Sequence, residues 1–225
     1  NKCSFLSIDC DKNKHWKMVP CDESLYSGLS GIAVFFLELY MRTRQKIYFE
    51  YYQRLVNTAI EQTKNTGFQS AFSGWLSPVY PLTLEYRYLS TVSNKKYMDF
   101  TIKKLATMKV EDIHKLVESD YISGIAGIIH LLSTSQSTFG KDYINDQIIR
   151  NFSEVLRDRV ESGKEKAMTK VGIAHGISGI MLGLASGKVV APEIVRDFLL
   201  REFRMKIPQK NIYKWCWGLS GMIQA

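Results

Sequence analysis

Cysteine is scarce in this chain of 225 residues: there are four, Cys3, Cys10, Cys21 and Cys216. The spacings between them match neither a zinc finger nor a paired redox motif. A disulfide-rich secreted scaffold is therefore excluded as a class, and a reducing cytoplasm is the compartment that we expect.

Long apolar runs are also missing, and none reaches the length of a membrane span. Lys and Arg outnumber Asp and Glu by 30 to 22, and the formal net charge of +8 favours acidic partners. The lysines are scattered, without a basic run or interleaved aromatic residues, which argues against nucleic-acid binding. The start, Asn1-Lys2-Cys3, has no signal-peptide layout and no Met, so we expect the chain to be part of a longer protein.

The apolar residues that are present follow helical spacing. They recur on one face over residues 49–63, 95–108 and 144–160, whereas period-two alternation is rare. This pattern predicts an all-α fold with a substantial core. We expect an irregular segment over residues 1–24 and one helical domain over residues 25–225.

A short pattern of small residues occurs five times. The first glycine of each copy lies at position 28, 74, 124, 176 or 218, and a nearly fixed period in this range indicates a repeat architecture. Each copy except the last, which is followed by only four residues, leads into an apolar run, so each repeat is interpreted as an amphipathic helix, a loop, the motif and a second helix. The copies are Ser27–Gly31, Ser73–Ser77, Ser123–Gly127, His175–Gly179 and Trp217–Gly221.

Two interpretations of the motif glycines stay open. Without side chains, the first turn of a helix can approach a neighbouring helix very closely, which is a packing role. Alternatively, the unpaired N–H groups and the positive dipole of several helix starts could form a rim that favours developing negative charge.

Three side chains near the motifs could carry chemistry. His175 takes a position that serine occupies in three other copies, and its near-neutral titration makes it a candidate acid or base, although a lone histidine is more often structural. Asp120, three residues before Ser123, could face His175 or could simply cap a turn. Cys216 is a candidate metal ligand or a buried apolar residue. We assign His130, in mid-helix, to packing.

The motifs resemble those of the lanthionine synthetases, specifically their zinc-dependent cyclase domain. The resemblance covers nearly the whole chain and depends on five copies in the family's order, with Asp, His and Trp-Cys in place. The segments that carry it are Leu25–Ala33, Ala71–Gly74, Asp120–Gly127, Ala174–Gly179 and Trp215–Gly221.

The resemblance implies a double-layered α/α toroid of seven helical hairpins, of which about five would be present here. It implies a central zinc ion held by two cysteines and one histidine. Cys216 matches the first ligand, and the remaining Cys and His are expected beyond residue 225. His175 and Asp120 match positions used in acid–base chemistry. Trp217 and Ile212 depart from the family, where Tyr or His and an arginine are frequent.

The implied activity is the addition of peptide cysteine thiols to dehydroalanine or dehydrobutyrine, which forms the thioether rings of lanthipeptides. The partners would be a dehydrated precursor peptide and a dehydratase domain on the same chain. With one zinc ligand of three, these 225 residues alone are expected to be inactive. Two alternatives remain: a non-catalytic module that binds thiol peptides or glutathione, and an unrelated carbohydrate-active toroid, which normally needs paired carboxylates.

Overall fold

The computed structural model describes residues 2–68, 70–116, 118–162 and 172–190, with residues 193, 196, 197 and 200. The prediction of an all-α fold is confirmed, since helices dominate this part of the chain. The chain divides into two compact units, Asn1–Thr101 and Ile102–Ala225, and the boundary falls within α4. The helices are α1 (Leu29–Thr43), α2 (Lys46–Gln62), α3 (Val79–Leu89), α4 (Lys95–Ala106), α5 (Val110–His114), α6 (Ile125–Phe139), α7 (Asp146–Glu161) and α8 (Ile177–Ser186).

The first unit begins with a β-hairpin, so the prediction of an irregular segment over residues 1–24 was wrong. Strand β1 (Leu6–Cys10) pairs antiparallel with β2 (Trp16–Pro20). The turn between them is held by Asp11, whose side chain accepts the N–H groups of Asn13 and His15. Strand β1 alternates apolar and polar residues, as do the first three residues of β2, and this short period-two signal is what the helical interpretation overlooked.

Helices α1 and α2 form a helical hairpin joined by Arg44 and Gln45. Arg44 ends α1 in the left-handed conformation, and its N–H donates to the carbonyl of Tyr40. The two helices bury one stripe each, with Leu29, Ala33 and Leu37 of α1 and Tyr52, Leu55, Val56 and Ala59 of α2 almost fully enclosed. The helical spacing that predicted α2 is therefore the spacing of its buried face.

Helix α3 is continuous from Val79 to Leu89, although it starts after one proline and contains another. Pro78 is the N-cap residue and Pro81 lies in the first turn, where no intrahelical N–H bond is lost. The hydroxyl of Tyr52 donates to the carbonyl of Pro81 and to the carboxylate of Glu85, which joins α2 to α3. Burial raises the pKa of Glu85. This buried carboxyl group has a structural role, because it also accepts the N–H of Ser93 after the helix.

The second unit packs α6 against α7 and α8. Helix α7 buries one stripe that includes Phe152 and Leu156, each worth about 2–3 kcal/mol of burial. Its first turn is capped by Asn145, whose side chain accepts the N–H of Ile148 at 3.0 Å. Helix α8 approaches α6 so closely that a methyl group on Gly183 would lie within 3 Å of Ala126. Two small residues thus set the distance between the helices that follow the third and fourth motifs.

Candidate active site

The third and fourth copies of the motif lie side by side in the second unit. The N–H groups of Tyr121 and Ile122, in the loop before α6, both donate to the carbonyl of Ala174, in the loop before α8, at 3.2 Å. Asp120 precedes the donors and His175 follows the acceptor. These backbone hydrogen bonds therefore place the two candidate side chains next to each other.

Asp120 and His175 are in direct contact. Nδ1 of His175 lies 2.8 Å from Oδ2 of Asp120. The other carboxylate oxygen, Oδ1, accepts the N–H of Ser123 at 2.6 Å. A carboxylate accepts hydrogen bonds, so this contact assigns a proton to Nδ1. Proton exchange with a reactant would then use Nε2.

The burial of the pair suits proton transfer. The side chain of Asp120 is 8% exposed and that of His175 is 32% exposed. The carboxylate is thus held inside the protein with both oxygens engaged, whereas part of the imidazole reaches the surface. An enclosed acceptor that orients a partly accessible imidazole is the arrangement used where a histidine acts as an acid or base.

An arginine from α7 holds the loop that carries Asp120. The guanidinium of Arg159 donates to the hydroxyl of Ser119 at 3.1 Å and to the carbonyls of His114 and Leu116. The carbonyl of Ser119, in turn, accepts the N–H of Ala126 in α6. Arg159 is one of several charged residues on α7, and its position along the helix does not distinguish it from the others. Its role appears only once the loop is placed beside the helix.

The motif glycines lie in close contact with the backbone of the loop that precedes each helix. A methyl group on Gly124 would overlap the carbonyl of Glu118, and one on Gly179 would overlap the carbonyl of Ile173. The first-turn N–H groups of Ile125 and Ala126 donate to loop carbonyls. The interpretation as a rim of unpaired N–H groups therefore does not apply to these two groups, which are bonded within the loop.

His130 packs between helices, as assigned from the sequence, with its ring centroid 5.6 Å from that of Tyr121. Its Nδ1 is 2.9 Å from the hydroxyl of Ser186, which links α6 to the end of α8. Burial lowers the pKa of His130, so the imidazole is held neutral at pH 7. His130 is consequently a structural link between two helices.

A comparison with protein-family models gives a match to the lanthionine synthetase C-like proteins over residues 19–225. The chain belongs to the lanthionine synthetase C-like family. Members of this family fold as helical toroids, in agreement with the expected fold class, and the match supports a lanthionine synthetase-type function in general terms. It spans all five copies of the motif, including the last.

In the family context, Cys216 is the remaining residue of interest, and it lies outside the described residues, as do Trp217 and Ile212. Within the described ranges, no group of three or more His, Cys, Asp or Glu side chains could hold a metal ion. The chemistry of Cys216 fits a zinc ligand, because zinc favours thiolate and imidazole donors. No helix in the part of the chain that the structure describes is long and apolar enough to cross a membrane.

Proposed function

We propose that the chain is the cyclase part of a lanthionine synthetase, which joins peptide cysteines to dehydroalanine or dehydrobutyrine. The observation that supports this most strongly is the contact between Asp120 and His175, 2.8 Å long, in a chain of this family. The reaction needs a proton donor for a carbon atom, and an imidazole held by a carboxylate is suited to that task.

In the proposed reaction, the sulfur of a peptide thiolate attacks the β-carbon of the dehydroamino acid and forms the C–S bond. The electron pair of the C=C bond moves toward the α-carbon and its carbonyl, which gives an enolate. Nε2 of His175 then delivers a proton to the α-carbon. The product is a thioether, and no oxidant or reductant is consumed.

Asp120 is proposed to orient His175. Both of its carboxylate oxygens are engaged, one by Nδ1 of His175 and one by the N–H of Ser123. A carboxylate with these two contacts and 8% exposure is poorly placed to take a proton from a peptide thiol. It keeps the Nδ1 proton in place, so that His175 exchanges protons through Nε2.

Zinc is proposed as the cofactor, with Cys216 as one ligand and the remaining Cys and His ligands beyond residue 225. When bound, zinc would convert a peptide thiol, whose pKa is ordinarily about 8.5, to a thiolate at neutral pH. The partners proposed are a dehydrated precursor peptide and a dehydratase domain on the same chain. We propose the cytoplasm as the compartment, because free thiols persist there.

The test uses the full-length protein with zinc and a synthetic peptide that carries a dehydroalanine and a cysteine three residues away. Ring closure removes the free thiol, and alkylation followed by mass spectrometry measures this loss. His175→Asn should lower the rate of ring closure by about 10²–10⁴-fold, whereas His130→Asn should leave it within about threefold. Unchanged ring closure in His175→Asn would exclude His175 as the proton donor.

The same assay separates the enzyme from a non-catalytic module. A module that only binds thiol peptides would retain the peptide without consuming its thiol, in the wild type as in the variant. Thiol loss above the rate without protein therefore decides between the two functions.

A further inference from the structure

The hairpin β1–β2 exposes an apolar face in the first unit. Leu6, Ile8, Trp16 and Met18 are between 62% and 73% exposed. The register pairs Leu6 with Pro20, Ile8 with Met18 and Cys10 with Trp16, so these side chains lie on the same face of the sheet. A two-stranded hairpin is marginal by itself, and an uncovered apolar face of this kind is suited to a partner.

The hydrogen-bonding register shows which backbone groups of β1 point outward. Beyond the two ends of the sheet, Asp11 donates to the carbonyl of His15, and Cys21 donates to the carbonyl of Phe5. In an antiparallel pair, bonded and non-bonded pairs alternate. The odd-numbered residues of β1 therefore bond to β2, and the N–H and C=O groups of Leu6, Ile8 and Cys10 point away from it.

This outer edge of β1 has its full set of donors and acceptors. No backbone hydrogen bond joins Leu6, Ile8 or Cys10 to another element among the residues described. The outer edge of β2 is less complete, because Pro20 has no N–H to donate. An added strand would therefore find three outward donors on β1 but only two on β2.

We propose that the outer edge of β1 binds an extended, acidic segment of the peptide substrate as a third strand. Main-chain hydrogen bonds to Leu6, Ile8 and Cys10 would supply affinity, and alternate apolar side chains of the segment would cover the exposed face. The charge selects an acidic occupant. Lys12 and Lys14 are exposed in the turn beside this edge and outnumber Asp11 there, Asp9 of β1 is paired with Lys17, and the whole chain carries +8.

A second copy of this chain fits the edge less well. Two chains of charge +8 repel each other. A five-residue strand also buries far less surface than a stable dimer needs, about 1,200 Å² or more. Weak, reversible binding suits a peptide that must move through several ring closures. The inference depends on the proposed function for the identity of the peptide, and it concerns an edge that the Asp120–His175 contact does not use.

The test measures binding of a probe to the full-length protein by fluorescence anisotropy. The probe is a fluorescein-labelled peptide of eight alternating valines and threonines followed by two glutamates. Ile8→Pro removes an outward N–H without touching the β1–β2 hydrogen bonds. Met18→Pro, the matched control, removes the corresponding N–H from the opposite edge. Ile8→Pro should weaken binding about tenfold or more, and Met18→Pro should leave it within about twofold.

Hydrogen exchange of the wild type gives a reading that does not depend on the folding of a variant. The probe should slow exchange at the amides of Leu6, Ile8 and Cys10 and leave those of Trp16 and Met18 unchanged. The proposal would be overturned if the probe does not bind, if the two variants lose affinity equally, or if the probe protects the amides of β2 instead. Self-association that Ile8→Pro abolishes would overturn it in favour of a second copy. If the probe does not bind but the protein still closes rings, the peptide site at this edge is excluded and the proposed cyclase function is unaffected.

Discussion

The two units contain the same backbone arrangement with different chemistry. In the first unit, the N–H of Leu25 donates to the carbonyl of Phe72 at 2.8 Å, which joins the loops of the first two copies of the motif. In the second unit, Tyr121 and Ala174 occupy the equivalent positions and make the equivalent bond. Neighbouring copies are thus joined in the same way in both units.

The difference lies in the side chains that this arrangement brings together. Ser24 and Asp120 each lie four residues before the first glycine of their copy of the motif. The side chain of Ser24 accepts the N–H of Ser27, and that of Asp120 accepts the N–H of Ser123. A carboxylate has a second oxygen, which in Asp120 accepts from His175. The same backbone arrangement therefore has a structural role where this position is serine. Where it is aspartate and the neighbouring loop carries histidine, the arrangement forms a candidate acid–base pair.

The first unit has a buried carboxylate of its own, which binds backbone. Glu23 is 7% exposed, and its side chain accepts the N–H of Gly74 at 2.9 Å. Gly74 takes a positive φ of 72°, and α3 starts only at Val79, so the second copy departs from the other described copies, in which the helix begins right after the first glycine. Burial of a carboxylate alone therefore does not mark a site for chemistry.

The largest expected effect is a difference in ring closure between variants of these two carboxylates, Asp120 and Glu23. Asp120→Asn should lower ring closure by about 10²-fold or more, because the amide can offer an N–H to Nδ1 and stabilise the wrong tautomer. Glu23→Gln, the control, should reduce thermal stability and leave ring closure of the folded protein within about threefold. Equal losses of activity in the two variants would contradict the assignment. Thiol alkylation of the peptide measures the first quantity, and circular dichroism melting measures the second.

A methyl group at a motif glycine should have the next largest effect. Gly124→Ala places a Cβ against the carbonyl of Glu118 and the N–H of Asp120, and we expect a loss of about 2–3 kcal/mol in the free energy of unfolding. Gly67 has open space around it, so Gly67→Ala should change stability by less than about 1 kcal/mol. Urea titration compares the two. Similar stabilities would mean that the loop can move aside.

The arginine of α7 provides a comparison within one helix. Arg159→Ala should cost about 1–2 kcal/mol and slow ring closure, because three acceptors of the loop before Asp120 lose their donor. Arg157, whose contacts to Asp158 and Glu161 are 3.6 Å and 3.8 Å long, is the matched control, and Arg157→Ala should stay within about 0.5 kcal/mol. If Arg159→Ala is fully folded and closes rings at the wild-type rate, the loop does not need the hydrogen bonds from Arg159.

The smallest expected effect is a pH dependence in α6. Burial holds the pKa of His130 below its usual range, so the unfolded chain binds this proton more readily than the folded one. Stability from this group is present above about pH 6.5 and is lost as pH falls below it. His130→Asn should flatten the change in melting temperature between about pH 7 and 5. A curve as steep as that of the wild type would assign the effect to other groups.

Much of this protein followed from the sequence alone. Helical spacing predicted α2, α4 and α7 to within a few residues, because one buried stripe per helix leaves a clear period. The repeated small residues identified the starts of α1, α6 and α8 and made Asp120 and His175 candidates for one site. These features are local, or repeat along the chain, and can be read without knowing which elements are neighbours.

Only the tertiary structure decided the rest. Nothing in the spacing of α7 distinguishes Arg159 from Arg157, since their difference lies in a loop that is 40 residues away in sequence from Arg159. The bonded first-turn N–H groups and the orientation of Asp120 by Ser123 also depend on how the loop folds back. The sequence by itself determined the composition, the period of the repeat and the identity of the candidate residues. Which oxygen meets which nitrogen is decided by contacts between distant segments, because a hydrogen bond requires a geometry that residue order does not contain.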